Sequence, residues 1–394
     1  MKFPWHALSP PARRALLCHA LYWQAVIMAF TFVNVYLFRL GHGYADPAYY
    51  QMLANAVIPL GFVAGAYIAR RQSSAATYRA GLILHEVFLL LILILRERCV
   101  DHLFVVGILS GLATGFYWQG WILMMVDLSG EESRDAMLGS QQWVYFVAGL
   151  TGAPLAGWFL SPFADLQGYN YVFAFSSLLF AAAWWVSRPI QTSRLHGAPS
   201  LLRLIKARKP HGWAAMSFSS VLMGLLSVSA LFLTTLISFE SKGNESGTGQ
   251  YTLLNAGLGF AATWFMARYG ARQTRLRTLA WAGLVVAVVA LPLAFQRSFA
   301  LIMLYGAGMA IALSFFNVAL FVSHLSILSS KASFHARRAD ALVMRESWIA
   351  VGRVAGYAFI MLMVGNIDSK ALGFFFVAIA VTPLLNTWVM RRYV

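Results

Sequence analysis

Six ionisable side chains stand in or near apolar stretches of the sequence and frame the question of chemistry: His19, His85, Glu86, Arg345, Glu346 and Arg353. An ionisable group in hydrocarbon costs at least about 2.5–3.5 kcal/mol on insertion scales, so it takes a partner or a task. Arg353 lies about twelve residues, or ~18 Å of helical rise, into its apolar run, near the middle of a ~30 Å bilayer core. Gly352 and Gly356 flank it, leaving room for a neighbouring helix or a ligand. Glu346, seven residues earlier, falls on nearly the same helix face but ~10 Å away, too far for direct pairing. Arg353 therefore suits an anionic group of a substrate, or ion coupling; a structural pair holding its helix to a neighbour is the competing reading. Glu86, beside His85, could carry a proton or serve a structural role. Arg345 falls near a helix end, and His19 near a membrane edge, where a satisfied histidine is the simpler reading.

Other chemistries find no residues. No phosphate-cradling Walker loop occurs, and the nine histidines show no metal-ligand spacing. No nucleophile, base and orienter can be named, so neither an enzyme nor a cofactor or metal is expected. Cys18 lies early in the first apolar run and Cys99 just after the third, which puts them near opposite membrane faces, too far apart to bridge.

Composition says what positions these groups. Of 394 residues, 60% are hydrophobic and only 11% charged, against roughly 25% charged in soluble chains. Most of the surface must meet lipid. Apolar segments are read near 15–38, 47–69, 80–95, 103–126, 136–160, 169–187, 213–238, 251–267, 276–295, 299–323, 341–364 and 371–390. Backbone groups in lipid must be satisfied within the segment, so these are helices. The net charge of +16 invites a nucleic-acid reading, but the apolar runs break up any continuous basic face. Placing both termini in the cytoplasm puts 22 Lys and Arg on that side and 6 on the other, with Arg345 and Arg353 inside a helix. Such an asymmetry is the positive-inside signature, and it requires an even number of crossings.

The chain divides near its middle. Residues 188–212 form a basic cytoplasmic linker between a six-helix bundle at 1–187 and another at 213–394. The linker carries Pro189, Pro199 and Pro210 around SLLRLIKARK, which reads as a plain spacer, as a surface helix on anionic headgroups, or as both. Matches recur across the halves. Ala69-Arg70-Arg71 corresponds to Ala267-Arg268-Tyr269, Gly115-Phe116-Tyr117 to Ser314-Phe315-Phe316, and Asp135 with Trp143 to Asp340 with Trp348, at offsets of 198 to 205. Parallel six-helix repeats with a site at their interface are a known transporter plan.

At this point the chain resembles the major facilitator superfamily along its whole length. Gly65-Ala66-Tyr67-Ile68-Ala69-Arg70-Arg71 sits where that family's loop motif falls, and Ala267-Arg268-Tyr269-Gly270-Ala271-Arg272 is its second copy. Both carry Ala where the family usually carries Asp. Gly149-Leu150-Thr151-Gly152-Ala153-Pro154-Leu155-Ala156-Gly157 in the fifth helix resembles the glycine–proline motif of proton-coupled exporters, while the fourth helix has Gly107 where those exporters often carry arginine. Small residues let helices approach closely, and Pro154 frees a backbone carbonyl.

The resemblance implies a twelve-helix, all-α membrane protein of two pseudo-symmetric bundles, with helices one, four, seven and ten lining a cavity. It would offer Gln24, Tyr117, Gln119 and Asn317 to an amphipathic organic molecule, and it makes helix three, with Glu86, a supporting element. The cytoplasmic loops suggest gating pairs of Arg70 and Arg71 with Asp135, and of Arg268 or Arg272 with Asp340; exposed pairs are worth only ~0–1 kcal/mol. The expectation is a monomeric secondary transporter of the cell membrane, moving a small organic molecule, with export by proton antiport ahead. Uptake or exchange of an organic anion, suggested by Arg353, is the alternative, and a transport-inactive sensor or scaffold is the reading from another class.

Overall fold

The computed structural model describes residues 8–41, 43–129, 133–163, 165–194, 205–206, 209–269, 275–330 and 338–394. Among them there is no strand. The first half holds α1 (Pro10–Leu40), α2 (Ala45–Arg71), α3 (Ser74–Leu95), α4 (Leu103–Leu128), α5 (Arg134–Leu160) and α6 (Gln167–Ser187). The second holds α7 (Trp213–Lys242), α8 (Glu245–Tyr269), α9 (Arg275–Ala290), α10 (Phe299–Ser329), α11 (Arg338–Met363) and α12 (Lys370–Met390). The stretch 200–209, singled out as amphipathic, lies largely outside the described residues.

Local chemistry fixes several ends. Ser73 caps α3 by accepting from the Ala76 amide at 3.1 Å, and Ser298 caps α10 by accepting from Leu301, each satisfying one of the donors that a helix start leaves open. Gly243, at φ 76°, ends α7 in the left-handed region that a side chain disfavours. A short 3-10 segment, Arg96–His102, turns the chain between α3 and α4. Without that turn Ser74–Leu128 is one apolar run of 55 residues, about 80 Å at 1.5 Å per residue, far more than one crossing of a ~30 Å core needs.

Nine such runs among the described residues are long and apolar enough to span a membrane. Neither α8 nor α11 is among them: α8 is rich in polar and small residues, and α11 carries Arg345, Glu346 and Arg353. Exposed Leu, Ile, Val, Phe and Trp side chains are spread over nearly all the helices, as a lipid-facing surface requires.

Two units emerge, Met1–Leu40 with Leu53–Pro199, and Gly41–Met52 with Ser200–Val394. In the first, α1 packs on α5 and α6, and α3 on α4 and α6. The second repeats that scheme: α7 packs on α11 and α12, and α9 on α10 and α12. The internal matches found in the sequence thus have a counterpart in which helices touch.

Candidate functional site

Each unit contains a buried polar cluster, and both are built around a histidine. In the first unit His19 of α1 is fully buried. The Trp23 indole, which can only donate, gives its N–H to His19 Nε2 at 2.9 Å, and His19 Nδ1 lies 2.6 Å from the Tyr117 hydroxyl. Since Nε2 must accept, the proton resides on Nδ1 and is donated to Tyr117. The imidazole is neutral, with both nitrogens used. Trp121 stacks on it at 3.7 Å between ring centroids, and Tyr22 stacks on Tyr117 at 3.3 Å. Trp121 in turn donates to Gln141 of α5 at 3.0 Å.

Sequence-selected residues divide around this cluster. Tyr117 is at its centre. Gln119, two positions on, points elsewhere: it packs against Gly65 of α2, whose carbonyl accepts from Thr77 of α3 at 3.0 Å. Its buried Nε2 has no hydrogen-bond partner among the described residues, and a buried donor left unpaired costs about 1–3 kcal/mol. Gln24 accepts from Thr151 of α5 at 3.0 Å. The neighbouring small-residue face of α5, with Gly152 against Gln24, Ile27 and Met28, closes on α1; Pro154 is half-buried within that helix. Glu86 is half-buried and accepts from Ser177 of α6, while adjacent His85 faces the aromatic cluster and lies 5.2 Å from Tyr22.

In the second unit the histidine is His324 of α10, also fully buried. Arg345 Nε donates to its Nδ1 at 3.3 Å, so the proton sits on Nε2, which donates to Ser219 Oγ at 2.8 Å. Ser219 Oγ then donates to Asn386 Oδ1 at 2.8 Å, and Asn386 Nδ2 returns to the Ser219 carbonyl at 3.2 Å. At the other end Arg345 Nη1 meets Glu346 Oε1 at 2.9 Å. Donation therefore runs outward from the guanidinium, to the carboxylate on one side and through imidazole, hydroxyl and amide on the other, crossing α11, α10, α7 and α12. Its two charged members differ in access: the Arg345 side chain is 7% exposed and that of Glu346 20%.

Arg353, two turns further along α11, donates Nε to Ser227 Oγ at 3.1 Å. Ser227 immediately precedes a π-helical segment of α7, Val228–Leu233, where Ser229 accepts from Tyr305 of α10 at 2.9 Å. Such insertions leave the regular i→i−4 ladder and recur at functional sites. The room expected beside Gly352 is filled by α7: a methyl group at Gly352 would meet the Val221 carbonyl oxygen, and one at Gly224 the Ile349 carbonyl. Asn317 of α10 is exposed.

Of the residues selected for gating, Arg71 lies 4.5 Å over the Tyr67 ring, Arg70 is half-buried at the end of α2, and Asp340 is buried in the first turn of α11. Arg272 lies outside the described residues, as do the side chains of Arg268 and Asp135. Sequence reasoning missed Ser219, His324 and Asn386 as site residues, and placed Arg345 at a helix end. It also passed over Tyr44, which donates to Glu240 Oε2 at 2.6 Å; burial, then the nearby Glu240 charge, raises the Tyr44 phenol well above its ordinary value.

Apolar helices with buried ionisable networks on facing helices define a polytopic membrane protein of transporter type. The Major Facilitator Superfamily model matches residues 74–356, and the chain belongs to that family. It is 26% identical over 347 residues to "Uncharacterized protein YqgE" of Bacillus subtilis (strain 168), covering 87% of this chain and 80% of that one. Among solved structures it resembles the inward-open xylose transporter XylE from E. coli, with TM-score 0.69, 14% identity and 97% and 95% coverage. The nucleoside transporter NupG is similar, with TM-score 0.68, 13% identity and 98% and 99% coverage. At such identities these structures speak for the fold.

Proposed function

We propose that the chain is a secondary transporter of a small, amphipathic organic molecule, working by alternating access and coupled to protons through Glu346 and Arg345. The supporting observation is the chain of hydrogen bonds from Glu346 to Asn386, held between four helices of the second unit. Its carboxylate is the more exposed charged member and its guanidinium the sealed one. Protonating Glu346 would remove the negative charge that compensates Arg345, and an uncompensated buried cation is costly. That cost would pull at once on α10, α7 and α12 through His324, Ser219 and Asn386. A proton is thereby converted into a bias on helix packing, which is what coupling requires.

In this reading the chain crosses the membrane twelve times with both termini in the cytoplasm, as the distribution of 22 bases against 6 supports, and resides in the cell membrane as a monomer. Export in exchange for protons is the preferred direction, on the Gly149–Gly157 motif. Uptake or exchange of an organic anion is the second reading. Arg353, bonded to Ser227 beside the π-segment of α7, favours it as a group that could hold an anion.

Purified protein in liposomes, tested against a panel of organic solutes with and without an imposed pH gradient, decides between these. Export by antiport predicts accumulation that follows the gradient. Solute accumulation indifferent to it would sink proton coupling, and an absence of any flux would favour the sensor or scaffold.

A further inference from the structure

We infer that the first unit carries a binding site for the phosphate of an anionic phospholipid, between the start of α3 and the end of α6. It rests on the membrane placement of these helices and not on the transport cycle. A cavity of about 410 Å³ opens there, lined by Gln72, Arg79, Ile83, Trp184 and Arg188 among others. Its two bases are separately anchored. Arg79 spends Nη1 on the Ser187 and Ile190 carbonyls, at 3.3 and 3.2 Å, which fixes the guanidinium at the rim. Arg188 lies 4.9 Å from the ring centres of both Trp184 and Trp185. Among the described residues neither base forms an ion pair with a carboxylate. Two fixed guanidinium groups beside a cavity, neither ion-paired among the described residues, make an anion site, and the planar fork of arginine suits phosphate oxygens.

The rest of the surface identifies the anion as a lipid. Ile83 lines the cavity and is itself exposed, and Val87, Leu90 and Ile94 continue the exposed stripe along the same face of α3. From Ile83 to Ile94 the stripe rises about 16 Å, close to half of a ~30 Å hydrocarbon core, or one leaflet. An acyl chain lying on it would bring its phosphodiester to Arg79 and Arg188, with Gln72 and Trp184 at headgroup level, where Trp is favoured. The site sits on the base-rich side of the chain, which faces the anionic leaflet in the proposed orientation.

The test is native mass spectrometry of the full chain in detergent, titrated separately with phosphatidylglycerol, phosphatidylcholine and inorganic phosphate. Each base near a lipid surface contributes enough for about a fivefold change in affinity. Arg188→Gln should therefore weaken phosphatidylglycerol binding about fivefold, and Arg79→Gln with Arg188→Gln about 25-fold, with phosphatidylcholine binding weak and unchanged. Arg79 supports the chain after α6, so Arg188→Gln alone, melting like the parent, is the cleaner variant. Unaltered phosphatidylglycerol binding by that variant overturns the inference. So does displacement of phosphatidylglycerol by inorganic phosphate at equal concentration, which would mark a soluble anion as the occupant.

Discussion

Removing Glu346 should destabilise the chain more than removing Glu346 and Arg345 together. Glu346→Gln leaves the Arg345 cation, with 7% of its side chain exposed, without its carboxylate. Deleting one member of a buried pair costs about 3–5 kcal/mol when both groups are sealed. Here the cost is lower, about 2 kcal/mol, because Glu346 is 20% exposed and water reaches the pair. The contact of Arg345 with the Phe321 ring, 5.3 Å away, and its bond to His324 also persist. Arg345→Met leaves the carboxylate on the more exposed side and empties the Nδ1 acceptor of His324, for about 1 kcal/mol. Replacing both charges removes desolvation and attraction together, and such exchanges are often neutral.

The assay is thermal melting of the purified protein in one detergent, read by intrinsic fluorescence. At roughly 2 °C per kcal/mol for a large chain, Glu346→Gln should melt about 4 °C below the parent, Arg345→Met about 2 °C below, and the double variant within about 1 °C of it. The coupling between the sites is then about 3 kcal/mol, in the range for groups sharing one network. A double variant that loses the sum of the single losses would refute the pair, and with it the proposed route from proton to helix packing.

The remaining predictions address neighbouring parts of the same structure. Arg353→Gln should abolish transport, or reduce it at least tenfold, while the protein still inserts and melts within a few degrees of the parent; undiminished flux removes Arg353 from the mechanism. Gly352→Val should prevent a stable fold, since its Cβ would meet the Val221 carbonyl, and a normal yield of monodisperse protein would show that α7 and α11 can part there. Tyr44→Phe removes the donor to Glu240 and should cost about 1–2 kcal/mol, as bonds to charged groups do. Because the Tyr44 phenol is raised above 10.0, its folded state holds the proton more tightly. Its stabilisation is complete below that pH and is lost as pH rises through the folded value, so Tyr44→Phe should flatten the alkaline limb of the melting profile.

What the sequence made legible, and what it did not, follows from the range of its signals. Apolar length locates helices, because lipid leaves the backbone no other partner, and the ranges expected for the first and last segments fall inside α1 and α12. Spacing along one helix also informs: Gly352 and Gly356 do meet a neighbour. Yet residues two apart on a helix face different ways, and Tyr117 meets His19 while Gln119 packs on Gly65. An apolar run that begins at 341 puts Arg345 near a helix end, whereas α11 begins three residues earlier. Its partner His324 lies just beyond the expected end of its segment, yet α10 continues to Ser329. No spacing rule links positions 219, 324, 345 and 386, since each belongs to a different helix. The π-segment in α7 has no evident sequence mark.

The repeat explains why this matters for mechanism. Duplication preserves which helices touch: first with fifth and sixth, third with fourth and sixth, in both units. It does not preserve the polar groups between them. Each unit seats a neutral histidine between its first and fourth helices, but His19 stands on the first and His324 on the fourth, so they are not copies of one position. Around His19 the neighbours are rings, Tyr22, Tyr117 and Trp121, which lock by stacking and carry no charge. Around His324 they are Arg345, Ser219 and Asn386, with Glu346 one residue beyond, a set that a single proton can unbalance. In the proposed reading the proton acts on the second of these clusters, the one that holds the ion pair. If transport is proton-coupled, Glu346→Gln should erase its gradient dependence while His19→Phe, which keeps a stacked ring at α1, leaves that dependence intact. Loss of the dependence in the His19 variant would move the coupling step to the first unit and overturn the assignment made here.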